Sequence, residues 1–167
     1  RLLGSVSHRV LSMAPCAKLI LQGSLRALKE VLLPIQGPSD AEAAVRFLAK
    51  QPFHEPVNVN LLTVLPSTRP PWPVDTTAAE QLETQALRHA RDFVEDVAGK
   101  LRALGYTTRT ASRLGTPLTM ILHEAEGLRV DLILVGSHAR RGLTRFVLGS
   151  VSHAVLHRAP CQVLVFE

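Results

Sequence analysis

Asp131-Leu-Ile-Leu-Val-Gly-Ser-His-Ala-Arg-Arg-Gly-Leu-Thr-Arg-Phe-Val-Leu-Gly-Ser-Val-Ser-His153 decides how the rest of the chain is read. Leu132 to Val135 is an unbroken apolar run, the pattern of a parallel strand covered on both faces. Gly136 ends it, and a short basic loop with Arg140, Arg141 and Arg145 follows. Gly149 and Ser150 then open a helix on which Val151, Val155 and Leu156 share one face. A glycine and a hydroxyl at a helix start leave backbone N–H groups pointing outward. With the helix dipole, such a mouth favours an anion, above all a phosphate.

Working outward, the same alternation of strand and helix recurs. Val31-Leu-Leu-Pro-Ile35 reads as a first strand, and Gln36 to Ser39 as the turn after it. Ser39 or Asp40 is placed to cap a helix whose apolar side is Ala41, Ala44, Val45 and Leu48. Val57 to Val64 reads as the second strand. A proline-rich loop from Pro66 to Pro73 carries the only tryptophan, Trp72, which either plugs a local gap or touches a ligand. Asp75 or Thr76 caps a long helix through Leu82, Ala86, Phe93, Val97, Leu101 and Leu104, stopped by Gly105. Tyr106 to Ser112 is Thr-rich and weakly alternating, as suits an edge strand. Gly115-Thr116-Pro117 starts another helix, with Leu118, Ile121, Leu122 and Ala125 facing inward and Gly127 at its end. Gln162 to Phe166 is the last strand. Strand and helix alternating four times, with a closing strand, demand a parallel α/β sheet with right-handed crossovers.

The first residues repeat the end of the chain. Leu3-Gly-Ser-Val-Ser-His-Arg-Val-Leu-Ser-Met-Ala-Pro-Cys16 matches Leu148 to Cys161 at 11 of 14 positions, at a constant offset of 145. That offset is a domain length rather than a solenoid period. The expectation is a tandem protein. Residues 1–22 would be the last helix and strand of a shortened first domain, 23–27 a linker marked by Gly23 and Ser24, and 28–167 a complete domain.

Gly136-x-x-Ala139, nine residues, then Gly149-Ser150 resembles the nucleotide loop of the universal stress protein family, written G-x-x-G, nine residues, G-S/T. The tail Ala159-Pro160-Cys161-Gln162-Val163-Leu164-Val165 is similar to that family's closing strand. The resemblance implies a five-stranded open parallel sheet of order 3-2-1-4-5, doubly wound and Rossmann-like. The switch point then lies between the first and fourth strands, where open parallel sheets hold ligands at their carboxyl ends.

The resemblance also implies an ATP pocket, with Mg²⁺ only as the nucleotide brings it. Pro34, Ile35 and Gln36 would stand on the base and sugar side. Val64 and Val135 would form the apolar wall. Gly136, His138, Ala139 and Arg140 would line the phosphate loop, and Gly149, Ser150 and Val151 would hold phosphate. Two residues depart from the family pattern. Gln36 stands where ATP-binding members carry an aspartate, and an amide is a weaker acceptor than a carboxylate. Ala139 stands for the second glycine, where a methyl crowds a backbone bent for phosphate. Two readings therefore stay open: a module that takes an adenine nucleotide, and a family member without nucleotide that serves as an assembly partner. Family dimers join through the last strand, so Gln162 to Phe166 is expected to pair antiparallel with Ala17 to Leu21, of the same chain or another.

Composition narrows the other classes. An apolar content of 46% over 167 residues supplies a core, and with few aromatics that core is Leu, Val, Ile and Ala. No apolar run reaches the roughly 18–20 residues of a membrane span. The formal charge of +5 comes from scattered Arg, without interleaved aromatics or a recognition motif, so no nucleic-acid role is expected. Cys16 and Cys161 sit in strand-start contexts and point to a reducing cytoplasm rather than a disulfide. His138 lacks an orienting carboxylate and a nucleophile, and neither a Walker lysine nor a clear Mg²⁺ carboxylate is present. His153 and His157 lie four apart without a third ligand. The chain is thus expected to be neither an enzyme nor a metal protein.

Overall fold

The computed structural model describes residues 14, 16–21, 27–67, 77–137 and 148–166. Among these residues six strands and four helices follow in order: β1 (Lys18–Ile20), β2 (Glu30–Pro34), α1 (Pro38–Leu48), β3 (Asn58–Leu65), α2 (Thr77–Ala103), β4 (Thr107–Leu114), α3 (Pro117–Gly127), β5 (Leu132–Gly136), α4 (Ser150–Arg158) and β6 (Gln162–Phe166). The strands form one sheet of order β1-β6-β5-β2-β3-β4. Neighbours from β6 to β4 run parallel, and β1 runs antiparallel to β6. The expected five-stranded, all-parallel sheet is therefore corrected to a six-stranded mixed one. The reason is local. A parallel sheet ending at β6 leaves a row of N–H and C=O groups open, and Lys18–Ile20 satisfies them from within the chain.

The β1–β6 register puts Leu19 opposite Leu164, with Lys18 opposite Val165 and Ile20 opposite Val163. Leu19 and Leu164 also occupy matching positions of the 145-residue repeat, so the two strands meet about a local pseudo-two-fold. As an edge, β1 is short, with Leu19 and Leu21 about half exposed. The helix expected before it within residues 1–22, and most of the expected linker, lie outside the described residues.

Two apolar layers explain the unbroken runs in β2 and β5. Successive side chains of a strand point to opposite faces. Val31, Leu33, Leu132 and Leu134 join Ala41, Ala44 and Leu48 of α1 and Val94, Val97 and Leu101 of α2. Leu32, Ile133 and Val135 join Ile121 and Ala125 of α3 and Val155 and Leu156 of α4. Every strand position thus meets a helix layer, and polar alternation has no place to appear. β4, at the sheet edge as its composition suggests, carries the exposed and half-exposed residues. α2 ends where expected, with Gly105 at φ +92°, a conformation that favours glycine.

The start of α1 differs from the expectation. Gly37 is the cap residue, in extended conformation and without a side-chain cap bond. Pro38 takes the first helical position, where its missing N–H costs nothing. Asp40 thereby falls in the first turn, and its Oδ2 accepts the Gln36 N–H at 3.2 Å.

Candidate functional site

The centre of the sheet is pinned at one end and open at the other. β2 and β5 pair over two residue pairs only, Val31 with Leu132 and Leu32 with Ile133. Before that ladder, Asp131 Oδ2 accepts the N–H groups of both Lys29 and Glu30 at 3.0 Å. Glu30 in turn accepts from Asn58 Nδ2 at 2.7 Å and Asn60 Nδ2 at 2.9 Å. Beyond the ladder, each strand turns to its outer neighbour. The Ile35 N–H donates to Leu62 O at 2.9 Å, and the Ser137 N–H and hydroxyl both donate to Phe166 O, at 2.8 and 3.1 Å. The carboxyl ends of β2 and β5 therefore part, one held to β3 and the other to β6.

A cleft of about 520 Å³, its open mouth included, occupies that gap. β2 and the turn after it contribute Pro34, Ile35 and Gln36, and β5 contributes Val135 and Gly136. Leu62 and Val64 come from β3, Pro117 and Ile121 from α3, Asp40 from α1, and Val151 and Ser152 from α4. The floor is apolar: Ile35, Leu62, Val64, Ile121 and Val135 are all buried. Polar groups stand at the sides. The Ser152 hydroxyl donates to Gly136 O at 3.1 Å, which ties the start of α4 to the end of β5. Gln36 is exposed and Asp40 half-buried.

Of the residues expected to form a site, Pro34, Ile35, Gln36, Val64, Val135, Gly136 and Val151 come together around this cleft. Gly149 caps α4 in extended conformation without a side-chain bond, and Ser150 is the exposed first residue of that helix; neither lines the cleft wall itself. His138, Ala139 and Arg140, with Arg141 and Arg145, lie outside the described residues, as does Trp72. Sequence reading missed Asp40, Leu62, Pro117, Ile121 and Ser152 as wall residues. Asp40 had a signal: it follows Gly37-Pro38-Ser39, a helix-start pattern that sets an acidic residue in the first turn just after the first strand. Ser152 had a weaker one, a second hydroxyl two residues inside the helix that Gly149-Ser150 opens.

What the arrangement can do follows from its parts. An apolar slot takes a flat, weakly polar body such as a base. One carboxylate and one amide at its rim suit hydroxyl or amine donors. A helix start on the far wall suits an anion. Among the described residues no group of three or more His, Cys, Asp or Glu is placed to hold a metal ion. Nor is any described helix long and apolar enough to cross a membrane.

A doubly wound sheet with a cleft at its switch point defines a class, the open α/β proteins that hold small ligands at strand ends. Within that class the chain belongs to the universal stress protein family, whose model matches residues 27–167. It is 37% identical over 87 residues to universal stress protein A homolog 2 of Coxiella burnetii, a match that covers 52% of this chain and 58% of that protein. Among solved structures it superposes on MJ0577 of Methanocaldococcus jannaschii with a TM-score of 0.67 at 25% identity, over 83% of this chain and 94% of the other. An Arabidopsis thaliana member of the family, solved with AMP bound, shares the fold with a TM-score of 0.55 at 20% identity, over 82% and 90% of the two chains.

Proposed function

We propose that this chain is a stress-response module whose cleft takes an adenine nucleotide and that it works by binding rather than by turnover. The observation that supports this best is the parting of β2 and β5, which gathers Pro34, Ile35, Gln36, Val64, Val135, Gly136 and Val151 around one slot. The base rests on the apolar floor, the sugar meets the polar rim of Gln36, and the phosphates reach the mouth of α4 at Gly149 and Ser150. ATP is the expected ligand, with Mg²⁺ arriving only on the nucleotide. The AMP found in the Arabidopsis relative names a second ligand to try. His138, Ala139 and Arg140 would complete the phosphate side.

Assembly is the output of this reading. Gln162 to Phe166 joins Ala17 to Leu21, within one chain or by exchange with a second copy, in a tandem protein of the reducing cytoplasm. The pseudo-two-fold between Leu19 and Leu164 supports it, because repeat-related residues face each other as they would across a dyad.

A second reading rests on Gln36 and Ala139. Both residues depart from the nucleotide-binding pattern, and the chain would then act through assembly alone. Titration with labelled ATP and AMP, with and without Mg²⁺, separates the two. Saturable binding without phosphate release is expected. Absence of binding favours the assembly reading, and phosphate release would make the protein an enzyme.

A further inference from the structure

We infer that Ser152 is a positioning residue: its hydroxyl holds the Gly136 carbonyl and so sets the phosphate end of the cleft, without itself touching the ligand. This rests on the nucleotide reading above and adds to it a requirement that falls on the phosphates alone.

The bond answers a break in the central ladder. Peptide groups along a parallel strand point alternately to its two neighbours. Ile35 gives its N–H to Leu62 of β3, and Ser137 gives its N–H to Phe166 of β6. The even-numbered residues Pro34, Gln36 and Gly136 therefore turn toward the space between β2 and β5. Pro34 has no N–H to offer across that space. The Gln36 N–H is held by Asp40 Oδ2 at 3.2 Å. The β2–β5 pairing stops at Leu32 and Ile133, so among the described residues no backbone donor of β2 meets the Gly136 carbonyl. That carbonyl would face the cleft bare. The Ser152 hydroxyl reaches it instead, at 3.1 Å.

The direction of this bond is what matters. A serine in the first turn of a helix commonly bends its oxygen back to that helix's own N–H groups. Ser152, the third residue of α4, sends its proton out to β5. Gly149 makes no side-chain cap bond either, so the first-turn N–H groups are left for an anion. Ser152 is 7% exposed, and Gly136 lines the cleft beside it. A carbonyl oxygen carries partial negative charge, and an unmet one away from water is costly. Left bare beside the mouth of α4, it opposes a phosphate. Bonded to Ser152, it is engaged, and the end of β5 is fixed to the helix mouth that receives the anion. The base needs none of this, because its apolar floor of Ile35, Leu62, Val64, Ile121 and Val135 is built by the sheet and α3.

The test is calorimetric titration of the full chain with adenosine, AMP and pyrophosphate. Ser152→Ala is expected to weaken AMP and pyrophosphate by roughly fivefold to tenfold, the worth of one hydrogen bond, with adenosine held within about twofold. Ser152→Thr and Ser152→Val form a second pair, alike in shape and differing in the hydroxyl, should the alanine variant melt early. The threonine variant is expected to bind AMP like the native chain, and the valine variant to lose affinity as alanine does. The carbonyl carbon shift of Gly136 should move in the alanine and valine variants and stay in place in the threonine variant. AMP affinity equal in Ser152→Ala and the native chain overturns the inference and leaves the nucleotide reading standing. Parallel loss of adenosine and AMP also overturns it, since Ser152 would then support the fold alone. A native chain that binds none of the three ligands overturns the nucleotide reading itself.

Discussion

The two ends of the β2–β5 pair use their polar groups in opposite ways. At the amino end, Asp131 Oδ2 accepts the Lys29 and Glu30 N–H groups and the Asp131 N–H donates to Glu30 O at 2.8 Å, and the strands stay together. At the carboxyl end the polar groups serve the outer neighbours, Ile35 bonding to β3 and Ser137 to β6. One end is a latch and the other is a split. A parallel sheet thus acquires a cleft without any special backbone: it needs only that the central pair be tied at one end and released at the other. The lesson lives at the level of hydrogen-bond bookkeeping, since both ends share the same apolar layers above and below.

The comparison breaks most severely if the shared middle is damaged. Ile133 is fully buried and sits in the short ladder with Leu32. Ile133→Ala is expected to cost about 2–5 kcal/mol of stability. Chemical denaturation should show it as a lower midpoint, and a change under about 1 kcal/mol would mean that the centre of the sheet carries little of the fold.

Cutting the latch is the next largest change. Asp131→Ala leaves the Lys29 and Glu30 N–H groups without their carboxylate, at a cost of about 1–3 kcal/mol. The partly exposed setting points to the lower part of that range. Nucleotide affinity, measured well below the melting temperature, should stay within about twofold, because the cleft is at the other end. A parallel loss of affinity would show that the two ends are not separable.

The smallest effect concerns alkaline pH. Burial, aided by the charge of Asp131, pushes the Cys161 thiol up to about 11 from its usual 9.0. The folded chain therefore keeps this proton where the unfolded chain has lost it. The stability it contributes is whole below about pH 9 and is lost as pH rises toward about 11. Cys161→Ser should flatten the fall in melting temperature across that window. The thiol is only partly buried, so the expected difference is a few degrees at most. An identical alkaline slope in the variant would remove Cys161 from the account.

Much of this was legible in the sequence, and the reasons are physical. Strand and helix positions were readable because burial on both faces writes an unbroken apolar run, and burial on one face writes a helical stripe. Leu132 to Val135 and the Ala41, Ala44, Leu48 stripe are examples. The cleft was readable as far as it is built from strand ends, because topology alone brings Ile35 and Val135 to one place. The latch was not readable. Its partners Glu30 and Asp131 are about a hundred residues apart, and a polar residue beside a strand carries no mark of whom it will meet. Asp40 was legible as a helix-start residue and not as a cleft residue, because Pro38 moved the cap back to Gly37. The sixth strand was expected as an antiparallel partner for β6, from the same chain or another. The structure has it from the same chain, a choice that no local pattern encodes.

The central claim is that the split end of the β2–β5 pair, and no other surface, receives an adenine nucleotide. Backbone amide shifts of the isotope-labelled chain, followed during titration with AMP, test it most directly. The account predicts saturable shifts confined to Ile35 to Asp40, Val64 to Leu65, Val135 to Ser137 and Gly149 to Ser152, with Lys29, Glu30 and Asp131 unmoved. Saturable shifts at the latch end or along β4, with the cleft residues silent, would contradict it.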